Sequence, residues 1–167
     1  MAPGKRYAPM KQVLPLPTEG NPAPYFSGPT QDGTTISLKD YHGKRLAIYF
    51  YPRDNTPVCT VQACNLRDNF EALEKAGIAI VGVSDDPVEK HKGFANKHTL
   101  NFPLIADTDH QMMKAYGTYG EKVLFGRKFM GTKRMTFLID ENGLLKKVIS
   151  KPKSSKHAEE ILKGFGL

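Results

Sequence analysis

Only two cysteines, Cys59 and Cys64, occur in 167 residues. A secreted scaffold stapled by disulfides carries more, and two thiols cannot complete a four-thiolate zinc site. The five histidines, His42, His91, His98, His110 and His157, lack the paired spacing of metal ligands, so neither a metal nor another cofactor is expected. Long apolar runs are missing too: no stretch approaches the ~18 residues that a membrane span needs. Lys5, Arg6 and Lys11 make the start of the chain basic, but no apolar h-region follows, because Pro15 and Pro17 interrupt the short run after them. No export signal is read, and the cytoplasm is the expected compartment. Internal repeats and low-complexity tracts are absent. The formal charge is +7, yet the basic residues are spread out, apart from a modest cluster at Lys146, Lys147, Lys151, Lys153 and Lys156. No nucleic-acid-binding motif accompanies them. The charge reads as a solvated face, and neither nucleic acid nor a membrane is expected as a partner.

What is present fits one soluble domain with one sizeable core: 40% of the residues are apolar and 25% charged. Half of the twelve prolines crowd into the first 24 residues, a density that blocks both helix and sheet ladders. An extended arm over residues 1–19 is therefore separated from a domain over residues 20–167. Gln31-Asp32-Gly33 is a turn signal before a short strand at 34–38. Residues 46–51 (Leu-Ala-Ile-Tyr-Phe-Tyr) and 78–83 (Ile-Ala-Ile-Val-Gly-Val) are the near-continuous apolar runs of strands buried on both faces. The amphipathic segment between them, 57–75, implies a right-handed crossover and a parallel pair. Further helices are expected at 87–97, 110–116 and 154–165, and a strand at 102–105. Residues 135–139 and 144–149 form a hairpin around Asp140-Glu141-Asn142-Gly143. This order predicts an α/β fold with a mixed central sheet flanked by helices.

The two cysteines lie where the chain leaves a buried strand and enters a helix. Thr56-Pro57 reads as an N-cap followed by proline at the first helical position. Cys59 then falls at the third helical position, where unpaired N–H groups and the helix dipole favour a thiolate over a thiol. The thiolate is the nucleophile, so this placement makes Cys59 reactive; a buried cysteine beside a routine cap is the competing reading. Ala63, Leu66, Phe70 and Leu73 follow Cys59 at helical spacing, which puts Cys59 at the top of the inward stripe. Cys64 lies about 140° further round, grouped with Arg67, Asp68 and Glu71 on the polar face. Five residues of ideal helix separate the two Cα atoms by roughly 8–9 Å. A disulfide needs no more than about 7 Å. Any bond between these cysteines requires the first helical turns to open.

Pro52-x-x-x-Thr56-x-x-Cys59 resembles the active-site signature of the peroxiredoxins. The stretch from Tyr49-Phe50-Tyr51-Pro52 through Thr60-Val61-Gln62-Ala63-Cys64 and Leu66-Arg67-Asp68 is similar to the bacterioferritin comigratory protein (PrxQ) subgroup. So are Asn21-Pro22-Ala23-Pro24-Tyr25-Phe26, Gln31-Asp32-Gly33, Tyr119-Gly120-Glu121-Lys122 and the run from Arg134 to Asp140. The resemblance implies a thioredoxin-like fold with peroxiredoxin additions. It implies a peroxidatic role for Cys59 and a resolving role for Cys64, through an intramolecular disulfide. The Thr56 hydroxyl is expected to bond the thiolate and the peroxide, with or without its capping role. Arg134, a strand arginine in the family, is expected to stabilise the thiolate and hold the peroxide oxygens; a surface salt bridge is its alternative. Pro52 is expected to shield the pocket, and Val58 joins the peroxide-binding set. The implied activity is the reduction of hydrogen peroxide and organic hydroperoxides by a monomer, with thioredoxin or a similar dithiol restoring both thiols. The competing functions are a thioredoxin-like binding or chaperone module without turnover and, on charge alone, a nucleic-acid-binding protein.

Overall fold

The computed structural model describes residues 16–167. Most of the arm read at residues 1–19, and with it Lys5, Arg6 and Lys11, lies outside the described residues. Glu19, near its end, is tied to the domain: its Oε1 accepts the backbone N–H of Val148 at 2.9 Å.

In chain order the elements are β1 (Ser27–Pro29), β2 (Thr35–Ser37), β3 (Arg45–Phe50), α1 (Pro57–Asp68), α2 (Phe70–Lys75), β4 (Ile78–Ser84), α3 (Val88–His98), β5 (Leu104–Ala106), α4 (Gln111–Ala115), β6 (Tyr119–Leu124), β7 (Arg127–Thr132), β8 (Met135–Ile139), β9 (Leu145–Ile149) and α5 (His157–Gly164). Five strands make the central sheet, in the order β5-β4-β3-β8-β9. The β3–β4 and β4–β5 pairs are parallel, while β8 runs antiparallel to both β3 and β9. This is the mixed sheet of the thioredoxin-like fold. Its parallel half follows from the crossover through α1 and α2, its antiparallel half from the β8–β9 hairpin.

Successive strand residues point to opposite faces, and in β3 both faces are covered. Ala47, Tyr49 and Tyr51 pack under α1, α3 and α5 with Leu66, Phe94 and Ile161. Leu46, Ile48 and Phe50 pack on the other side with Met113, Tyr116 and Phe137. The parallel register sets Tyr49 beside Gly82, and only a glycine fits there. A Cβ at position 82 would stand 2.9 Å from Tyr49 Cζ and 2.8 Å from Leu104 Cδ2. Gly82 thus leaves room for the Tyr49 ring in the core beneath α1.

The structure corrects some expected elements. The helix expected over 57–75 breaks at Asn69, whose backbone (φ −105°, ψ 11°) leaves the helical region. Its side-chain Nδ2 donates to the Asn65 carbonyl at 2.8 Å, the local side-chain bond by which asparagine competes with helix. The stripe ending in Phe70 and Leu73 therefore spans two helices, and Phe70 is only half-buried. The last helix begins at His157, behind a 3-10 turn over Ser154–Lys156. The β6–β7 hairpin was not expected. Its two-residue turn, Phe125-Gly126, has φ of 50° and 76°. This is the positive-φ pattern of hairpin turns, with phenylalanine where asparagine or aspartate usually gives the signal. Val123, Leu124, Phe129 and Met130 stay exposed on both faces of the hairpin, so the sequence shows no alternation there.

Candidate active site

The chain leaves the sheet at Tyr51 and enters α1 at Pro57 through five loop residues, of which Asn55 takes a left-handed φ of 64°. That reversal brings the Thr56 hydroxyl back onto the loop, where it donates to the Arg53 carbonyl at 3.0 Å. Thr56 is the N-cap residue by position, but its side chain does not cap the helix. The first intrahelical bond runs from the Thr60 N–H to the Thr56 carbonyl at 2.9 Å. The N–H groups of Val58 and Cys59 thus have no intrahelical partner.

Cys59 is 1% exposed, and its Sγ accepts a hydrogen bond from Arg134 Nη2 at 3.1 Å. The other arm of the guanidinium, Nη1, donates to Gln62 Oε1 at 2.7 Å. Arg134 comes from the short link between β7 and β8 rather than from within a strand, a correction to the family expectation. The link is free to turn the side chain toward α1, whereas a mid-strand position would fix it to one face of the sheet. Pro52, the first residue of the loop, is half-buried. Val58, expected in the pocket, is 52% exposed at the helix start. Gln62 was missed by the sequence reading. It is fully buried, one turn after Cys59, and its Nε2 has no partner among the described residues. A glutamine three residues after the nucleophile, on the face that carries Ala63 and Leu66, was the available signal.

Two further groups are close enough to Cys59 to feel its charge. Lys122 of β6 donates to the Thr132 carbonyl at 2.9 Å. Burial and then the charge of Arg134 hold its ammonium below the usual lysine range, with Cys59 opposing. Tyr49 lies beneath, and its hydroxyl has no partner among the described residues. Burial first, then the charges of Asp54 and Cys59, push its ionisation well above that of an ordinary phenol.

Cys64 is not brought to this pocket. Both cysteines are free thiols. The polar face on which Cys64 was placed meets the end of α3 at His98, and the residue is half-buried there. Its Sγ lies 3.9 Å from His98 Nδ1.

A buried polar network supports the loop from below. Tyr51 donates its hydroxyl to Asp54 Oδ1 at 2.6 Å, and Asp54 Oδ2 lies 2.6 Å from His91 Nδ1. His91 Nε2 faces the Ile105 carbonyl at 2.9 Å. A carbonyl only accepts, so Nε2 carries a proton, and a second proton lies between Nδ1 and Asp54. The Asp54 N–H and the Ser84 hydroxyl both donate to Asp86 Oδ2 at 2.7 Å, while Lys90 pairs with Asp86 Oδ1 at 3.1 Å. Asp54, Asp86 and His91 hold potential metal-ligand atoms within 4.8 Å of one another, but each is already turned to a hydrogen-bond partner. The sequence showed His91 only as one of five scattered histidines.

The geometry has relatives. The AhpC/TSA family model matches residues 20–148. Peroxiredoxin Bcp of Escherichia coli is 46% identical over 143 residues, covering 86% of this chain and 92% of that protein. Among solved structures, the Xanthomonas campestris bacterioferritin comigratory protein, described for its alkyl peroxide reduction activity, superposes with a TM-score of 0.81 at 33% identity, over 92% of this chain and 96% of the other. Xylella fastidiosa PrxQ gives a TM-score of 0.83 at 29% identity, over 89% and 95%. A buried cysteine at a helix start, faced by an arginine on this fold, thus coincides with a family match over most of the chain, and the chain belongs to the AhpC/TSA family as a peroxiredoxin of the bacterioferritin comigratory protein group.

Proposed function

We infer that this thiol peroxidase uses Cys59 as the nucleophile and Cys64 as the resolving thiol, with thioredoxin as its reductant. The observation that carries the reading is the 3.1 Å contact between Arg134 Nη2 and the buried Cys59 Sγ at the start of α1. A fixed guanidinium beside a sulfur favours its anion, and the same group can receive charge on a departing oxygen. The Cys59 thiolate attacks the nearer peroxide oxygen, the O–O bond breaks, and the alkoxide or hydroxide leaves with a proton from solvent. Arg134 and the free N–H groups of the first turn stabilise that leaving charge. Thr56, Pro52 and Val58 are assigned to the peroxide approach by the family pattern, although the Thr56 hydroxyl is turned to the Arg53 carbonyl and not to the sulfur as expected. Cys59 becomes a sulfenic acid, and Cys64 condenses with it to a disulfide and water. Exchange with a dithiol returns both thiols.

The reading takes residues 20–167 as one catalytic domain acting as a monomer in the reducing cytoplasm, on hydrogen peroxide and organic hydroperoxides. It is tested by peroxide consumption coupled to thioredoxin and its reductase. Cys59→Ser is expected to abolish turnover. Cys64→Ser is expected to stop after one equivalent, with a sulfenic acid on Cys59 that a dimedone-type reagent labels. Wild-type turnover in either variant defeats this assignment.

A further inference from the structure

We propose that His98 is the base that takes the proton of Cys64 in the resolving step. The inference rests on the reading of Cys64 as the resolving thiol. A thiol attacks only as its thiolate, so resolution requires a place for the Cys64 proton. Arg134 and the helix start serve Cys59, which lies about 140° away around α1. What Cys64 meets instead is His98, with Nδ1 3.9 Å from its Sγ, near the outer limit of an S–H···N hydrogen bond.

The imidazole is held for this contact. His98 is the last residue of α3, and its ring stands edge-on to Phe94 with centroids 5.1 Å apart. Its backbone carbonyl accepts Arg67 Nη1 at 2.7 Å, which ties the end of α3 to α1 one turn after Cys64. Among the described residues no hydrogen bond engages Nε2, so the tautomer with its proton on Nε2 offers a bare Nδ1 to the thiol. The charged and titratable groups around the pair are Arg67 and Asp68 of α1, joined at 2.8 Å, Lys97 of α3 and the Tyr49 hydroxyl of β3. Arg67 is close enough for its cation to be favoured by Cys64, after the larger effect of Asp68.

The step balances. Cys64 S–H gives its proton to Nδ1 while the helix is intact. After the helix start opens, the thiolate sulfur attacks the Cys59 sulfur, the S–O bond of the sulfenic acid breaks, and hydroxide leaves. That hydroxide takes a proton, the imidazolium returns one to solvent, and the sum is a disulfide and water. The thiolate must part from the imidazolium to travel, and separating a half-exposed ion pair slows it by less than about fivefold. A cysteine at neutral pH is only a few per cent thiolate, so a neighbouring base that raises this share speeds the attack by at most about 30-fold, which exceeds the cost of the tether.

His98→Gln keeps a polar side chain of similar reach and removes the basic nitrogen. In rapid mixing with one equivalent of peroxide, it is expected to oxidise Cys59 at the wild-type rate but form the disulfide at least tenfold more slowly, with longer-lived sulfenic acid. Disulfide formation in His98→Ala is expected to be slow and to accelerate with imidazole in the buffer, a rescue that lost packing alone would not show. Wild-type disulfide formation in His98→Gln, or no rescue of His98→Ala, overturns the inference. A normal first step in each variant reports that the fold is intact. Cys64→Ser separates the two levels: if it still turns over normally, the resolving role itself fails; if it traps sulfenic acid while His98→Gln resolves normally, only the role of His98 fails.

Discussion

Gln62 aims Arg134: its Oε1 accepts Nη1 at 2.7 Å and leaves Nη2 pointing at the Cys59 sulfur. Gln62→Met keeps the length of the side chain and removes the acceptor. We expect the peroxide step to slow about tenfold, as small misplacements of catalytic groups do. Arg134→Ala removes the guanidinium itself and is expected to cost about 10²–10³-fold. Stopped-flow oxidation of Cys59 measures both. A wild-type rate for Gln62→Met would show that Arg134 needs no such support.

Helix opening should have a definite end point. Asn65 ties α1 to the chain around α5: its Oδ1 accepts the Ala158 N–H at 2.9 Å, and its Nδ2 donates to the Ser155 carbonyl at 3.0 Å. The Arg67 bond to the His98 carbonyl adds a second anchor. Residues 57–64 precede both, and helix ends open more easily than core elements. After stoichiometric peroxide, amide exchange should speed up over 57–64 while 65–68 and β4 stay protected. Asn65→Ala should carry the loosening further along α1. Equal protection of 57–64 in both redox states, with the disulfide verified by mass spectrometry, would refute the idea.

Stability should fall on the acid side because of His157. Its ring is buried, accepting from the Thr136 hydroxyl at Nε2 (2.8 Å) and donating from Nδ1 to Glu160 Oε1 (3.2 Å). Burial, with a smaller contribution from Arg134, lowers its pKa, and Glu160 only partly opposes this. In the unfolded chain a histidine takes up a proton near pH ~6.5. The folded chain refuses that proton, so stability is highest above this value. It is lost as pH falls from there toward the lowered folded pKa. The urea midpoint should drop between pH 7.5 and 5.5. His157→Gln should lose about 1–2 kcal/mol at neutral pH and show a flatter acid slope. An unchanged slope in that variant would assign the acid loss to other groups.

Removing His91 should unfold more than it disarms. His91→Leu leaves Asp54, fully buried as a side chain, without its ring partner. Breaking a buried pair from one side costs about 3–5 kcal/mol. Asp54→Asn combined with His91→Leu should cost less than the sum of the two single changes, because the charge left unpaired is removed as well. Chemical denaturation tests both. A loss below about 1 kcal/mol for His91→Leu would mean that the network does not hold the loop.

Much of the frame was legible because it rests on local patterns. Residues 46–51 and 78–83 are apolar without interruption, as strands covered on both faces must be, and they fold as β3 and β4. Pro57 marks the first residue of α1, since its missing N–H costs nothing there. The same logic failed where a single side chain redirects the backbone, as Asn69 does, or where apolar residues stay exposed, as on the β6–β7 hairpin.

The sequence by itself determined that a cysteine stands at the third position of a helix that follows a buried strand. It also determined that a second cysteine five residues later cannot reach it across intact helix, because helical rise and twist set that separation. Tertiary structure decided what each sulfur faces. Arg134 lies 75 residues from Cys59, and His98 lies 34 residues from Cys64. No local rule of spacing encodes such contacts. They arise because the sheet order places the β7–β8 link and the end of α3 on different sides of α1, giving one cysteine a guanidinium and the other an imidazole.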